Sequence, residues 1–419
     1  MSLKDTRSGT FVDNMKMPVH RWFRYSAGFS AEWVNTEILK FQEETGKKAI
    51  LLDPFSGSGT TNICADSLNV KSYGFEGHPF IARIAQAKQY WKLNIKDLED
   101  AANEVLSDAM SDYSSHHTSY NEDTLLNKCY TYESFDKLNR LKNSFEKLQT
   151  DDPIWEIVKL SITSILRVCS HVGTAQWQYI LPNKTKTRVL DPYIAYQKKI
   201  ELVKEDMIYA TSSGWQSRSV IKYHDVRKEF SIEKCNLLIS SPPYPNNFDY
   251  ADATRLEMTF WGEISGWKDL KQTIRPSLLR SCSQHSASDK INLEEIVNEP
   301  LLSPIKEELI ETTHMLDIIR HSKGGKKTYH TMVAAYFLDL AKILKNIRSN
   351  MHNDSRICLV IGDSAPYGIH VPVEKWLGKL ALSTGFSNYH FEKIRDRNIK
   401  WKNRTHNVLL HEGRLWIKG

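Results

Sequence analysis

The stretch Leu237-Leu238-Ile239-Ser240-Ser241-Pro242-Pro243-Tyr244 limits what this chain can fold into more than any other. Its apolar half has the length of a buried strand. The half that follows sets two prolines in succession, and neither can donate a hydrogen bond to a sheet. The chain is held stiff at the point where a parallel strand delivers a catalytic loop, and the chemistry is expected here. Far upstream, Leu51-Leu52-Asp53-Pro54-Phe55-Ser56-Gly57-Ser58-Gly59-Thr60-Thr61 reads as the end of a strand, a glycine-rich turn and the start of a helix. Gly57 and Gly59 let the backbone pass close to a ligand, and the helix start offers unpaired N–H groups and a positive dipole end to a carboxylate or a phosphate. Such a turn taken alone also marks ordinary tight turns. Two strand ends of this kind side by side would set a cofactor pocket beside a substrate pocket.

The rest of the chain supports an alternation of strand and helix. Residues 1–19 are polar and are expected to form a loose arm. His20 to Ser30 is rich in aromatic residues: Trp22, Phe23, Tyr25 and Phe29 either pack a core or line a cofactor pocket. Ser30 is placed to cap a helix whose Val34, Ile38 and Phe41 recur at helical spacing. A strand over residues 72–75 ends at Glu76, close to the roughly 20-residue spacing at which an acid after the second strand of a βαβ unit meets a ribose hydroxyl pair. Without the glycine turn upstream, Glu76 would read as a surface glutamate. Residues 92–215 change character to acidic and polar helical patterns, interrupted by a turn-rich stretch at 114–119. That is too long for a connection within a sheet, so it reads as an inserted, mostly helical subdomain. Near its end stand Gln176-Trp177-Gln178-Tyr179 and then Lys184, Lys186 and Arg188, which either contact phosphates and bases or form a solvated loop. Strands resume at 219–223, with Asp225 just beyond, and at 235–240.

A second long excursion follows, with a serine-rich stretch at 277–288 and Lys323-Gly324-Gly325-Lys326-Lys327. It ends in an amphipathic helix presenting Val333, Tyr336, Phe337, Leu340, Leu344 and Ile347 on one face. A strand over 356–361 runs into Gly362-Asp363-Ser364, and strands at 389–394 and 407–416, separated by the basic stretch 395–404, read as an antiparallel terminal hairpin. The pattern predicts a doubly wound α/β sheet with its site at the carboxyl ends of the strands.

With 419 residues, size is no obstacle to a large core, and a net charge of +6 permits a polyanionic partner without demanding one. The six cysteines are scattered with no CxxC pair, which argues against a zinc site and a disulfide framework and fits a reducing cytoplasm. No signal peptide and no membrane span is read from the sequence.

Asp53-Pro54-Phe55-x-Gly57-x-Gly59-Thr60-Thr61 together with Ser241-Pro242-Pro243-Tyr244 resembles the amino-group DNA methyltransferases, which move a methyl group from S-adenosylmethionine to N4 of cytosine or N6 of adenine. The resemblance implies a Rossmann-like methyltransferase sheet. It assigns Tyr25, Asp53, Phe55, Gly57, Gly59, Thr60 and Ser240 to the cofactor, Glu76 to its ribose, and Asp225 to the adenine amino group. The catalytic residues become Ser241, Pro242, Pro243 and Tyr244. An exocyclic amine is conjugated into its ring and is a poor nucleophile, so Ser241 Oγ and the Pro242 carbonyl would accept its hydrogens and favour pyramidal nitrogen, while Tyr244 stacks on a base taken out of the duplex. This chemistry needs neither a cysteine nucleophile nor a metal. Serine in the first position of the tetrapeptide resembles the N4-cytosine branch, with N6-adenine as the alternative and an RNA amino group as a further one. A catalytically silent nucleic-acid-binding subunit is the reading from another class.

The partner implied is double-stranded DNA, and a restriction-modification or phage-defence setting allows a cognate restriction endonuclease. The oligomeric state is open. The catalytic core is expected in residues 20–91, 216–261 and 331–419. Residues 92–215 are the candidate for target recognition and residues 262–330 for DNA contact, because no separate recognition domain follows the catalytic motif.

Overall fold

Cys235–Ser240 is buried at every position, the signature of a central parallel strand covered on both faces. In the computed structural model, which describes residues 11–111, 124–174, 180–245, 249–286, 291–323, 328–397 and 408–419, that strand organises the sheet. The strands in chain order are Ile50–Asp53 (β1), Lys71–Glu76 (β2), Val172–Thr174 (β3), Ile180–Thr185 (β4), Ser219–Tyr223 (β5), Cys235–Ser240 (β6), Met351–Gly362 (β7), Asn388–Arg397 (β8) and Leu410–Lys418 (β9). Seven of them form one sheet in the order β5-β2-β1-β6-β7-β9-β8. The pairings of β1, β2, β5, β6 and β7 are parallel, and β9 runs antiparallel to both β7 and β8. This is the expected doubly wound α/β sheet with an antiparallel terminal hairpin. The chain runs outward from β1 through β2 to β5, then returns to β6 on the other side of β1. The carboxyl ends of β1 and β6 therefore lie at the topological switch point, where sheets of this type bind ligands.

Helices cover both faces. On one side Thr60–Ser67, Pro79–Lys88 and the inserted helices Ile95–Met110, Tyr132–Leu148, Ile154–Ile165 and Pro192–Ser212 share an apolar core with Trp22, Phe80 and Trp155. On the other, Tyr329–Ser349 and Val373–Ser383 pack with Lys306–Arg320. Among the described residues no helix is long and apolar enough to cross a membrane.

Several expectations are corrected. Residues 11–19 are not a loose arm: Asn14 is buried, its amide donating to Phe29 O (2.9 Å) and accepting from Ala31 N (2.9 Å), and Val19 is fully buried. One side chain thus satisfies groups at the start of the helix Ala31–Thr45, whose Ser30 cap accepts from Trp33 N as expected. Residues 92–215 are mostly helical but also carry the β3–β4 ribbon, and Lys184 lies in its second strand rather than in a loop. The helix Tyr329–Ser349 is buried around its whole circumference over residues 332–341 rather than on one face, because Ser283–Ser286, Leu293–Val297, Pro300–Ile305 and Lys306–Arg320 pack against it; only towards its end are Lys345 and Ser349 exposed. Arg395 and Arg397 belong to β8, so the basic stretch begins inside the hairpin. Residues 114–119, 176–179, 246–248, 324–327 and 398–404 lie outside the described residues.

Candidate active site at the switch point

Asp53 ends β1 and is 1% exposed. Its Oδ1 accepts from Ser240 Oγ (2.6 Å) at the end of β6 and from Phe55 N (3.0 Å) in the turn, so one carboxylate ties the two strand ends and the turn together. Burial is the main cause that raises its pKa to about 6, with these hydrogen bonds pulling the other way. Beyond it, Ser56 Oγ donates to Asp53 O (3.1 Å) and Gly59 N to Ser56 O (2.8 Å). Gly57 (φ 51°) and Gly59 (φ 87°) are both left-handed, and a Cβ on Gly57 would come within 3.1 Å of the Tyr25 ring. Lys88, buried with its pKa lowered to about 7 chiefly by desolvation, donates from Nζ to Ser58 O (3.2 Å) and His20 O (3.2 Å) and fastens this turn to the N-terminal segment.

Glu76, at the end of β2, accepts from Gly57 N (2.8 Å) and His78 N (2.7 Å). Burial raises its pKa to about 7 against the pull of those donors. An acid whose folded value lies above its unfolded one favours the fold below the unfolded value and loses that contribution as pH rises towards the folded value. The cofactor-free protein is expected to lose on the order of 3 kcal/mol of folding stability through this group between its ordinary, unfolded value of 4.5 and about 7. Chemical denaturation of wild type and Glu76→Gln across that range checks it; parallel stability curves would show that Glu76 does not titrate there.

The catalytic-loop candidates leave β6 beside this cluster. Ser241 Oγ donates to Val360 O of β7 (3.3 Å), and Pro243 O accepts from Tyr336 Oη (3.0 Å). The Tyr244 ring lies beneath Arg397, whose guanidinium carbon is 4.9 Å from the ring centroid and whose Nη1 donates to Asp363 O (2.7 Å). Gly362 makes this approach possible: a Cβ there would come within 2.7 Å of Arg397 Nη1 and 3.0 Å of Tyr244 Cε2. Burial pushes the Tyr244 phenol well above its usual value, so it stays neutral.

A cavity of about 780 Å³ opens between the strand ends. Of the residues singled out in the sequence, Tyr25, Phe55, Gly57, Glu76, Asp225, Ser241 and Pro243 line it. Asp53, Ser240 and Pro242 are buried without lining it; Gly59 and Thr60 begin the helix beyond the turn, with Thr60 facing a smaller pocket beside Tyr25 and Lys88. Tyr244 is set apart from the cavity, against the terminal hairpin. Trp22, Phe23 and Phe29 pack the core, so the aromatic segment divides between the two roles open to it.

A second wall was missed by sequence reasoning. Residues 275–285 cross from the second excursion to the cavity, placing Ser277, Leu279, Ser281, Cys282 and His285 on it. Ser277 Oγ donates to Gly77 O (2.7 Å), Arg275 pairs with Asp249 after the catalytic loop, and Arg280 pairs with Asp339 (2.6 Å). Asp225 is held by the Arg227 guanidinium through two hydrogen bonds (2.8 and 2.9 Å) and by its backbone N–H through a third (3.1 Å). The one readable signal was Asp339, an acid among the apolar residues of a long helix, which demands a buried partner.

A family model described as DNA methylase matches residues 13–87, the part of the chain that holds the aromatic segment, β1, the glycine turn and Glu76. The chain is 22% identical to the Type II methyltransferase M.AvaI of Nostoc sp. over 90% of its own length and 81% of the relative's. It is 24% identical to the Type II methyltransferase M.BsoBI of Geobacillus stearothermophilus over 93% of its length and 82% of the relative's. No solved structure matches it. These similarities support an amino-group DNA methyltransferase, an enzyme class whose members use S-adenosylmethionine as methyl donor.

Proposed function

We propose that this protein methylates the exocyclic N4 of cytosine at a specific site in duplex DNA. The observation that carries the reading is the delivery of Ser241-Pro242-Pro243-Tyr244 from β6 directly beside the Asp53 end of β1, with Ser241 on a cavity shared with Glu76 and Phe55.

The residues present fit the cofactor. The cavity sets an acid, apolar surface and the Ser241 loop around one opening, the mix of groups a nucleoside ligand beside a substrate base calls for. Glu76 offers a buried carboxylate to a ribose diol, Phe55 and Val226 offer apolar surface to a purine, and Asp225 offers an acceptor to its amino group. S-adenosylmethionine supplies an electrophilic methyl group on sulfur. The protein's part is to prepare the amine. The Ser241 hydroxyl donates to Val360 O (3.3 Å) and also meets the Tyr244 phenol, and with its proton turned to Val360 its oxygen has a lone pair to offer the amine. An acceptor there, with the Pro242 carbonyl, draws on the amine hydrogens and localises the nitrogen lone pair. With the cofactor bound, the amine nitrogen would take this methyl group and leave a neutral thioether behind, and the proton the amine then sheds would pass to water. Tyr244, neutral but held beneath Arg397 outside the cavity, becomes the stacking platform for the flipped base only once Arg397 leaves its ring.

Recognition of the duplex falls to the inserted segments. An open cleft of about 1210 Å³ lies between the β3–β4 ribbon and the N-terminal segment, and Arg24, Arg167, Lys184 and Lys186 line it with Glu257 as its acid. Lys184→Glu is expected to weaken DNA binding uniformly across sequences and to reduce the slope of log affinity against log salt by about one. Fluorescence anisotropy over a salt series checks this; an unchanged slope removes Lys184 from the phosphate contacts.

Expression in a host free of DNA methylation, followed by sequencing that distinguishes N4-methylcytosine from N6-methyladenine, tests the function as a whole. N4-methylcytosine in one sequence context is expected. N6-methyladenine would move the assignment to the other amino-group branch, and unmodified DNA with modified RNA would move the substrate.

A further inference from the structure

The second wall of the cavity is latched by a balanced set of charges. Asp225 and Arg227 follow β5; Arg280 lies on the 275–285 segment; Asp339 lies in the middle of the helix Tyr329–Ser349. Asp339 is 1% exposed, and its carboxylate accepts from Arg227 Nη1 (3.3 Å) as well as from Arg280 N (3.1 Å), Nε (3.1 Å) and Nη2 (2.6 Å). Arg227 spends its other nitrogens on Asp225 and on Pro276 O, so it too grips the 275–285 segment. Two guanidiniums and two carboxylates thus neutralise one another where water has little access, and the arrangement spans three separate elements. Asp339 does not line the cavity, whereas Asp225, Arg227, Ser277, Leu279 and Ser281 do.

We propose that Asp339 is a positioning residue for the cofactor: one buried carboxylate fixes the β5 wall, through Arg227, and the 275–285 wall, through Arg280, at the separation the cofactor requires. The proposal rests on the reading of this cavity as the S-adenosylmethionine site. Neutralising Asp339 leaves two half-buried arginines facing one carboxylate, and the imbalance is relieved by moving the 275–285 segment outward. The cost then falls on cofactor binding, while Ser241 keeps its bond to Val360 O and Pro243 its bond to Tyr336, and the DNA-facing cleft is not in contact with the displaced segment.

The test is calorimetric titration of the full-length protein with S-adenosylmethionine, joined to steady-state kinetics in cofactor and in DNA. Asp339→Asn is expected to weaken cofactor binding roughly tenfold or more. KM for the cofactor rises in step, while KM for DNA and the rate at saturating cofactor stay close to wild type. Arg280→Gln, a less buried change that serves if Asp339→Asn does not fold, is expected to weaken binding in the same sense, and the double variant to be no worse than Asp339→Asn alone, because both break one contact. Wild-type binding with unchanged affinity in both single variants, or additive losses in the double variant, would overturn the proposal while leaving the cavity assignment intact. Wild type failing to bind S-adenosylmethionine would overturn the cavity assignment itself.

Discussion

Ser241→Ala is expected to lower methyl transfer about a hundredfold to a thousandfold, the usual consequence of removing one preorganised group that acts at the reacting centre. Cofactor affinity is expected to stay near wild type, because Ser241 is anchored to Val360 O of β7 and makes none of the contacts that shape the glycine turn. The fall should appear in kcat rather than in KM for the cofactor. A single-turnover assay with labelled cofactor separates the two. If Ser241→Ala kept full transfer, the acceptor role of the hydroxyl would be wrong, and the Pro242 carbonyl would have to act alone.

Asp53→Ala is expected to do the reverse, with cofactor affinity falling by roughly tenfold to a hundredfold as the hydrogen bonds to Ser240 Oγ and Phe55 N are lost together. Both donors are then left buried, and Phe55, which lines the cavity, loses its anchor. Asp53→Asn is the informative companion. It keeps an acceptor oxygen for one or both donors, so its loss should be clearly smaller than that of alanine. Equal losses in the two variants would point to the negative charge rather than to the geometry of the turn. Equilibrium titration with the cofactor distinguishes them.

The sheet was legible because its signals are local. β6 is a short apolar run stopped by two prolines, β1 runs into glycines at 57 and 59, and β2 ends in an acid at the right distance. Each of these reflects a backbone constraint that a single stretch of sequence carries by itself. The adjacency of Asp53 and Ser240 also followed, since a doubly wound order places those two strand ends together. The wall at 275–285 was not legible for the opposite reason. It has no regular periodicity, and its position is set by the pairs Arg275–Asp249 and Arg280–Asp339, which join residues distant along the chain. The packing of residues 11–19 was missed on similar grounds, because the polar Asn14 that a composition argument sends to solvent is consumed by the main chain at Phe29 and Ala31. The clamp on Tyr244 needed Gly362 and Arg397 to meet from two strands, which nothing local to either announces.

The proposed function requires the loop at the end of β6 to direct a methyl group to an exocyclic base nitrogen of DNA. Mass spectrometry of nucleosides, from duplex DNA incubated with the purified protein and S-adenosylmethionine, tests it most directly. N4-methyldeoxycytidine with wild type, and its loss to near background with Ser241→Ala, is the predicted result. A methyl group on a ring carbon, or equal product from wild type and Ser241→Ala, would contradict it.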